Sequence, residues 1–145
     1  MASETIVLTN ASVVLDDSTG TPQDISNQVS AVNITLGYNT ETTGCMGTSS
    51  EISTTTLKTA SFSFDVFAEF GADKISNILN GLYDVGNITT LVVKPENVAV
   101  SATNPSYTAE VALTSFPALS GSHGDVLKGS AEFALASGDV AISIV

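Results

Sequence analysis

Ser122, His123 and Asp125 lie together in Gly-Ser-His-Gly-Asp and bring the three side-chain types of a nucleophile, its base and an orienting acid. Groups this close in sequence rarely reach the mutual geometry of a triad. No motif around them supplies donors for an oxyanion. His123 reads instead as an exposed turn residue. It is the only histidine, and Cys45 is the only cysteine. Cys45 sits between Gly44 and Met46 without a basic neighbour to lower its thiol pKa, which predicts an inert, reduced thiol. One histidine and one cysteine cannot form a zinc site of the usual kind. Asp16, Asp17 and Asp24 flank a turn and could hold calcium weakly, but their spacing is not that of an EF-hand. Neither a phosphate-binding G-x-x-x-x-G-K-[ST] loop nor G-x-G-x-x-G occurs. No catalytic, cofactor-binding or metal residue is expected, and the chain reads as a structural or assembly protein, not an enzyme.

The elements that position these residues are mostly strands. Tyr107, Ala109, Val111 and Leu113 alternate with Thr108, Glu110, Ala112 and Thr114. Leu127, Gly129, Ala131 and Phe133 alternate with Lys128, Ser130, Glu132 and Ala134. This period of two marks strands with one buried and one polar face. The same pattern predicts strands over 28–36 and 59–67, the latter from Ala60, Phe62, Phe64 and Val66. Shorter strands are expected at 6–8, 12–16, 88–94, 98–101 and 139–144, the last following a Ser137-Gly138 turn. Ile75, Ile78, Leu79 and Leu82 fall at i, i+3, i+4 and i+7, which predicts one helix over about 72–83, with Gly86 as its C-cap. Residues 37–57 are mostly Thr, Ser and Gly without apolar periodicity, which predicts a loop of about 20 residues. A loop of that length is either a flexible surface segment or an arm that orders on a partner. The expected fold is mainly β: a β-sandwich or open barrel of seven to eight strands with one flanking helix, in a single domain spanning 1–145.

Composition narrows the function further. The 145 residues carry 15 acids, four lysines and no arginine, for a net charge of −11. Such a chain is poorly suited to gripping nucleic acid, which needs cations for phosphates and arginine for base edges. It is equally unsuited to anionic membranes. The N-terminal Met-Ala-Ser-Glu-Thr lacks a basic region followed by an apolar one, so no signal peptide is expected, and no run is long enough for a transmembrane helix. Synthesis and folding in a cytoplasm are expected. The Asn-X-Ser/Thr matches at Asn10, Asn33 and Asn87 are expected by chance in a chain this rich in those residues.

The polar faces are unusual in their side chains. Ala31, Asn33 and Thr35; Thr59, Ser61, Ser63 and Asp65; Thr108, Glu110, Ala112 and Thr114; and Lys128, Ser130, Glu132 and Ala134 are mostly short. An ordinary solvent face of an antiparallel sheet gives the same alternation, but usually with more long charged side chains. Short residues suit a smooth wall in a confined space.

The order of elements resembles the major tail tube proteins of long-tailed, non-contractile (siphovirus-type) bacteriophages. The resemblance spans most of the chain. It rests on Gly20-Thr-Pro-Gln-Asp-Ile25, the strand and loop over 32–47, the strand over 57–67, the single helix, Leu91-Val-Val-Lys-Pro95, Asn104-Pro105-Ser106-Tyr107 and Gly121-Ser-His-Gly-Asp125. It implies a homohexameric ring whose strands join between subunits into a β-barrel. Rings would stack into a tube that conducts double-stranded DNA, which passes as cargo and is not specifically bound. It implies no enzymatic activity and no cofactor. Tape-measure and tail-terminator or tip proteins would be partners, and no membrane would be involved. The protein would be located in the virion tail after assembly in the bacterial cytoplasm. On this reading Asn33, Thr35, Ser61, Ser63, Asp65, Thr108, Glu110, Thr114, Ser130 and Glu132 face the lumen, whereas Lys128 departs from an acidic lining. The 37–57 segment, with Tyr38, Glu41, Cys45, Met46 and Glu51, reaches the neighbouring ring. Other readings are a capsid decoration or tail-tip protein and a bacterial surface or adhesive β-domain.

Overall fold

The computed structural model describes residues 7–86 and 88–144. Its chain runs β1 (Ser12–Asp16), β2 (Pro22–Asp24), a 3-10 turn (Ser26–Gln28), β3 (Val29–Thr43), β4 (Ile52–Phe67), α1 (Ile75–Val85), β5 (Thr89–Lys94), β6 (Ser106–Ser115) and β7 (Lys128–Ser143). The seven strands form one sheet in the order β2-β1-β5-β6-β7-β4-β3, and every neighbouring pair is antiparallel. The sheet is not closed: β2 and β3 are its edges. This is the mainly β, open architecture that the alternation predicts, with one helix against it.

Alternation decides which face is covered. Phe62, Phe64 and Val66 of β4, Ala131 and Phe133 of β7, Ala109 and Val111 of β6, Leu91 and Val93 of β5, and Val13 and Leu15 of β1 are all buried. They form one cluster with Ile75, Ile78, Leu79 and Leu82 of the helix. The Phe64 and Phe133 rings meet at 5.7 Å, tilted by 55°. Burying each large aliphatic side chain contributes about 1.5–3 kcal/mol, so the four helical residues fix α1 on this face.

The helix starts at Ile75, three residues later than the periodicity predicts, because Lys74 is extended (ψ 154). No side chain adjacent in sequence caps it. The carbonyl oxygen of the buried Gln28 side chain instead accepts a hydrogen bond from the Ile75 N–H at 2.6 Å. At the other end Gly86 is left-handed (φ 72), and its N–H bonds the Leu82 carbonyl at 2.8 Å, as expected for a glycine C-cap.

Four other expectations change. Val7 and Leu8 are not in a strand, and Ile6 lies outside the described residues, as does the Asn87 sequon. The 98–101 strand reduces to a single bridge between Ser101 and Asn104. Asn104 is buried and ties that loop together, with its side chain bonded to the Glu96, Val98 and Ala99 carbonyls and to the Glu96 N–H. Ser137-Gly138 does not separate two strands. Gly138 (φ 66) lies inside β7, where the register against β6 slips between Thr108↔Ala141 and Glu110↔Ser137. A turn signal in sequence is here a bulge, which glycine permits through its positive φ.

The largest correction concerns residues 37–57, expected as a loop. Residues 37–43 and 52–57 are the outer halves of β3 and β4, paired from Gly37↔Thr59 to Thr43↔Ile52, with one register shift between Tyr38 and Thr40. Only residues 44–51 form the turn. There the Thr48 hydroxyl donates to the Cys45 carbonyl at 2.7 Å, and Gly47 takes φ 95. Threonine at 40, 42, 43, 54, 55 and 56 supplies the β-branched chemistry that favours a strand even where both faces are wet.

Candidate assembly surfaces

Two surfaces stand apart from the core: the face of the sheet opposite α1, and the β3–β4 arm. On the first, register aligns the short polar residues into rows. Asn33 pairs with Ser63, which pairs with Glu132. Ala31 pairs with Asp65, which pairs with Ser130, and Thr35 pairs with Ser61, which pairs with Ala134. Asn33, Thr35, Ser61, Ser63, Asp65, Ser130 and Glu132 are thereby brought onto one patch. The Ser130 hydroxyl donates to the Asp65 carboxylate, and the Ser115 hydroxyl donates to Glu132 at 3.3 Å. These bonds hold short acids flat against the sheet instead of letting them extend as lysine or arginine would.

β6 joins this patch less regularly than the alternation predicts. Ala112 stands opposite Ala134 and continues the Thr35–Ser61 row. The register then slips between Leu113 and Ser115, so Ser115, not Thr114, stands opposite Glu132. Thr114 is left in the irregular step, its hydroxyl donating to the Glu132 carbonyl at 3.0 Å. Glu110 pairs with Ser137 and Thr90, and Thr108 with Ala141 and Val92, beyond further register shifts. Thr108 and Glu110 therefore sit farther along the sheet than Asp65 and Glu132. Strict period-two counting along β6 does not find Ser115, because it cannot see a bulge.

The second surface is the arm. Every residue from Tyr38 to Thr59 is exposed, including Glu41, Cys45, Met46, Glu51, Ile52 and Leu57. From Ser61 onward β4 is flanked by both β3 and β7; the outer part of β4 pairs with β3 alone. A two-stranded ribbon in water is marginal by itself. At its root, β4 and β7 diverge around an apolar cleft of about 270 Å³ walled by Leu36, Tyr38, Ala60, Leu135, Val140 and Ile142. The exposed pair Lys58–Asp139, at 3.9 Å, spans it.

The residues whose types suggest catalysis or metal binding are not assembled for either. Ser122, His123 and Asp125 are all exposed, and the turn is closed by the Asp125 N–H donating to the Ser122 carbonyl at 2.9 Å. Cys45 is exposed in the arm turn. Asp17 accepts from the Thr19 hydroxyl at 2.6 Å, the Thr21 N–H at 3.0 Å and the Thr19 N–H at 2.9 Å. These bonds, led by the Thr19 hydroxyl, lower its pKa to about 2. Burial, and then the adjacent Asp17 charge, raise that of Asp16. Asp24 is engaged by Ser26 at 2.5 Å. Each carboxylate serves its own turn, and no cluster of three or more metal-ligating side chains occurs among the described residues. No helix among the described residues is long and apolar enough to cross a membrane.

The fold is that of chains found in phage-like tails and related injection machines. A chain in the tail of an empty gene transfer agent particle, solved with C6 symmetry, matches with TM-score 0.68 at 16% identity over 92% of this chain and 94% of that one. A chain of the PVC sheath/tube terminator of an extracellular contractile injection system, in its extended state, matches with TM-score 0.71 at 10% identity over 99% of both. A chain in the baseplate of the anti-feeding prophage matches with TM-score 0.63 at 13% identity over 99% of this chain and 98% of that one. No family model and no curated protein matches the sequence. At these identities the likeness establishes the fold. It extends to contractile systems and does not single out the non-contractile class.

Proposed function

We propose that this chain is a structural subunit of a phage-like tail tube. Copies associate side by side into homohexameric rings, and the rings stack into a tube through which double-stranded DNA leaves the particle. The observation that carries this reading is the polar face. Register places short hydroxyl, amide and acid side chains in rows opposite the helix-covered core, and Lys128, at one rim, is the only cation on this face of β3, β4 and β7. DNA carries one negative charge per about 1.7 Å of axis, so a wall of this chemistry repels phosphate weakly and offers little to hold it. The subunit is therefore structural, without catalysis or cofactor. Tape-measure and terminator or tip proteins are its partners, and the virion tail, assembled in the bacterial cytoplasm, is its location.

Support for self-association comes from the fold, shared with a chain of a C6-symmetric tail, and from the edge of β3, 15 residues long and unpaired among the described residues. A long free edge is normally protected, and ring closure would use it as an interface. A second reading is a terminator that forms one ring and stops; the likeness to the PVC sheath/tube terminator favours it. Electron microscopy of the purified protein across concentration and salt separates the two. Long hollow tubes support the tube subunit, and single rings the terminator. Monomers under every condition would overturn both.

A further inference from the structure

We infer that the segment ahead of β1, residues 5–9, closes onto the free edge of β3 in the lone subunit and guards it until a neighbouring copy takes its place; the second half of this inference rests on the ring closure of the proposed function. The two edges of the sheet are unequally protected. β2 is three residues long and begins with Pro22. Shortness and proline both discourage another chain from pairing there. β3 runs for 15 residues with neither lysine nor proline, and among the described residues no strand lies on its outer side. Its register shifts fall between Val29 and Ala31 and between Tyr38 and Thr40, so residues 31–38 form a regular, bare edge.

The path of the chain brings a cover to that edge. β1 and β2 are antiparallel, with Val14 opposite Asp24, and the Ile25 N–H donates to the Val13 carbonyl at 3.0 Å, which carries the pairing one step further. The 3-10 turn at Ser26–Gln28 then offsets the chain before β3 sets out. Followed backwards from Ser12, the segment ahead of β1 therefore runs beside the start of β3 in the antiparallel sense. Leu8, Asn10 and Ala11 line one cleft of about 230 Å³ together with Val29, Ala31 and Val32. Val7 and Leu8 are 73% and 58% exposed and belong to no strand. Yet residues 5–9, Thr-Ile-Val-Leu-Thr, are uncharged, free of glycine and proline, and rich in β-branched side chains, the composition of a strand. Closing the cleft sets Leu8 beside Val32 and, by the period of two, Ile6 beside Ile34. Five residues cover only the first part of a 15-residue edge, so a neighbour that pairs along more of it displaces them. The segment thus competes with ring closure.

Hydrogen exchange in the dilute full chain tests the guard without any need for assembly. The outward amides of β3 between residues 31 and 35 should be protected. Val7→Pro/Leu8→Pro should speed their exchange about tenfold or more, because proline has no N–H for the ladder. Amides between β4 and β7 should keep their protection, which separates loss of the guard from unfolding. Equal exchange of the outward β3 amides in the two proteins overturns the guard. Sedimentation velocity tests the competition. Val7→Pro/Leu8→Pro should lower the critical concentration for assembly about tenfold. Leu8→Cys/Val32→Cys/Cys45→Ser, oxidised as a monomer, should raise it by at least as much, and reductant should reverse the effect. If the unsubstituted protein assembles and neither variant shifts its critical concentration, the competition is overturned and the proposed function stays intact. If the exchange result holds but the unsubstituted protein never assembles, the guard stands and the proposed function falls.

Discussion

Removing the arm should abolish stacking and spare the subunit. Thr40 and Thr55 are register partners, so residues 41–54 can be replaced by Asn-Gly, which favours the tight turn that joins paired strands. No residue of the excised segment belongs to the buried cluster, and all are exposed. Surface changes of this kind cost within about 0.5 kcal/mol, and each halving of a flexible connection returns about 0.6 kcal/mol of closure entropy. The stability of the body should therefore change by less than about 1 kcal/mol, within a few degrees of melting temperature. Assembly should respond very differently. The excision removes Met46 and Ile52, each contributing about 1.5–3 kcal/mol if fully buried by a neighbour. A loss of about 3–6 kcal/mol per contact raises the critical concentration more than a hundredfold. Thermal melting by circular dichroism and sedimentation velocity measure the two effects separately. Tubes forming at an unchanged critical concentration refute the assembly role. A melting temperature lowered by more than about 10 °C refutes the claim that the arm lies outside the folding unit.

Gln28→Leu should destabilise the subunit by about 1–3 kcal/mol in urea titration, because it strips the Ile75 N–H of its acceptor in a buried place; a loss under about 0.5 kcal/mol would show that the bond contributes little. Asp65→Lys/Glu132→Lys should leave monomer stability within about 1 kcal/mol, since both side chains are exposed, yet impair DNA delivery from particles of normal shape; undiminished delivery would remove the electrostatic account of the wall. The depressed Asp17 pKa of about 2, below the ordinary 3.8, means its ionised form supports folding above about pH 4, and that support is lost as pH falls towards 2. Asp17→Ala should therefore flatten the acid limb of stability in that window, as followed by denaturant midpoints. An unchanged slope would mean that the Thr19 and Thr21 bonds do not persist in solution. Asp16 acts with the opposite sign, since its raised pKa makes protonation favour the fold.

Much of the fold is legible in the sequence because burial imposes a period. Ala60, Phe62, Phe64 and Val66 could share a covered face only in a strand, and Ile75, Ile78, Leu79 and Leu82 only in a helix. That same regularity assigns most of the polar face correctly: Asn33, Ser63 and Glu132 are on one side in sequence and side by side in the sheet. The acid excess and missing arginine are also plain in sequence. The arm is illegible for the same physical reason. With water on both faces, nothing selects apolar residues at alternate positions, and its strands are specified by threonine's β-branching and by pairing with each other.

Tertiary structure decided everything that depends on register and ends. Whether Thr114 or Ser115 stands against Glu132 turns on a single slip between β6 and β7, which leaves no periodic trace. The helix cap came from Gln28, 47 positions away, because a buried N–H takes whichever acceptor the packing brings to it. The meeting of Phe67 with the 120–126 turn is likewise a product of the β4–β7 pairing. The sequence by itself determined a two-faced β-sheet with one helix on it and a strongly acidic, arginine-free composition. Only the folded chain decided that most of 37–57 is a paired two-stranded ribbon and which polar side chains stand side by side on the sheet, because these depend on contacts between residues far apart in the chain.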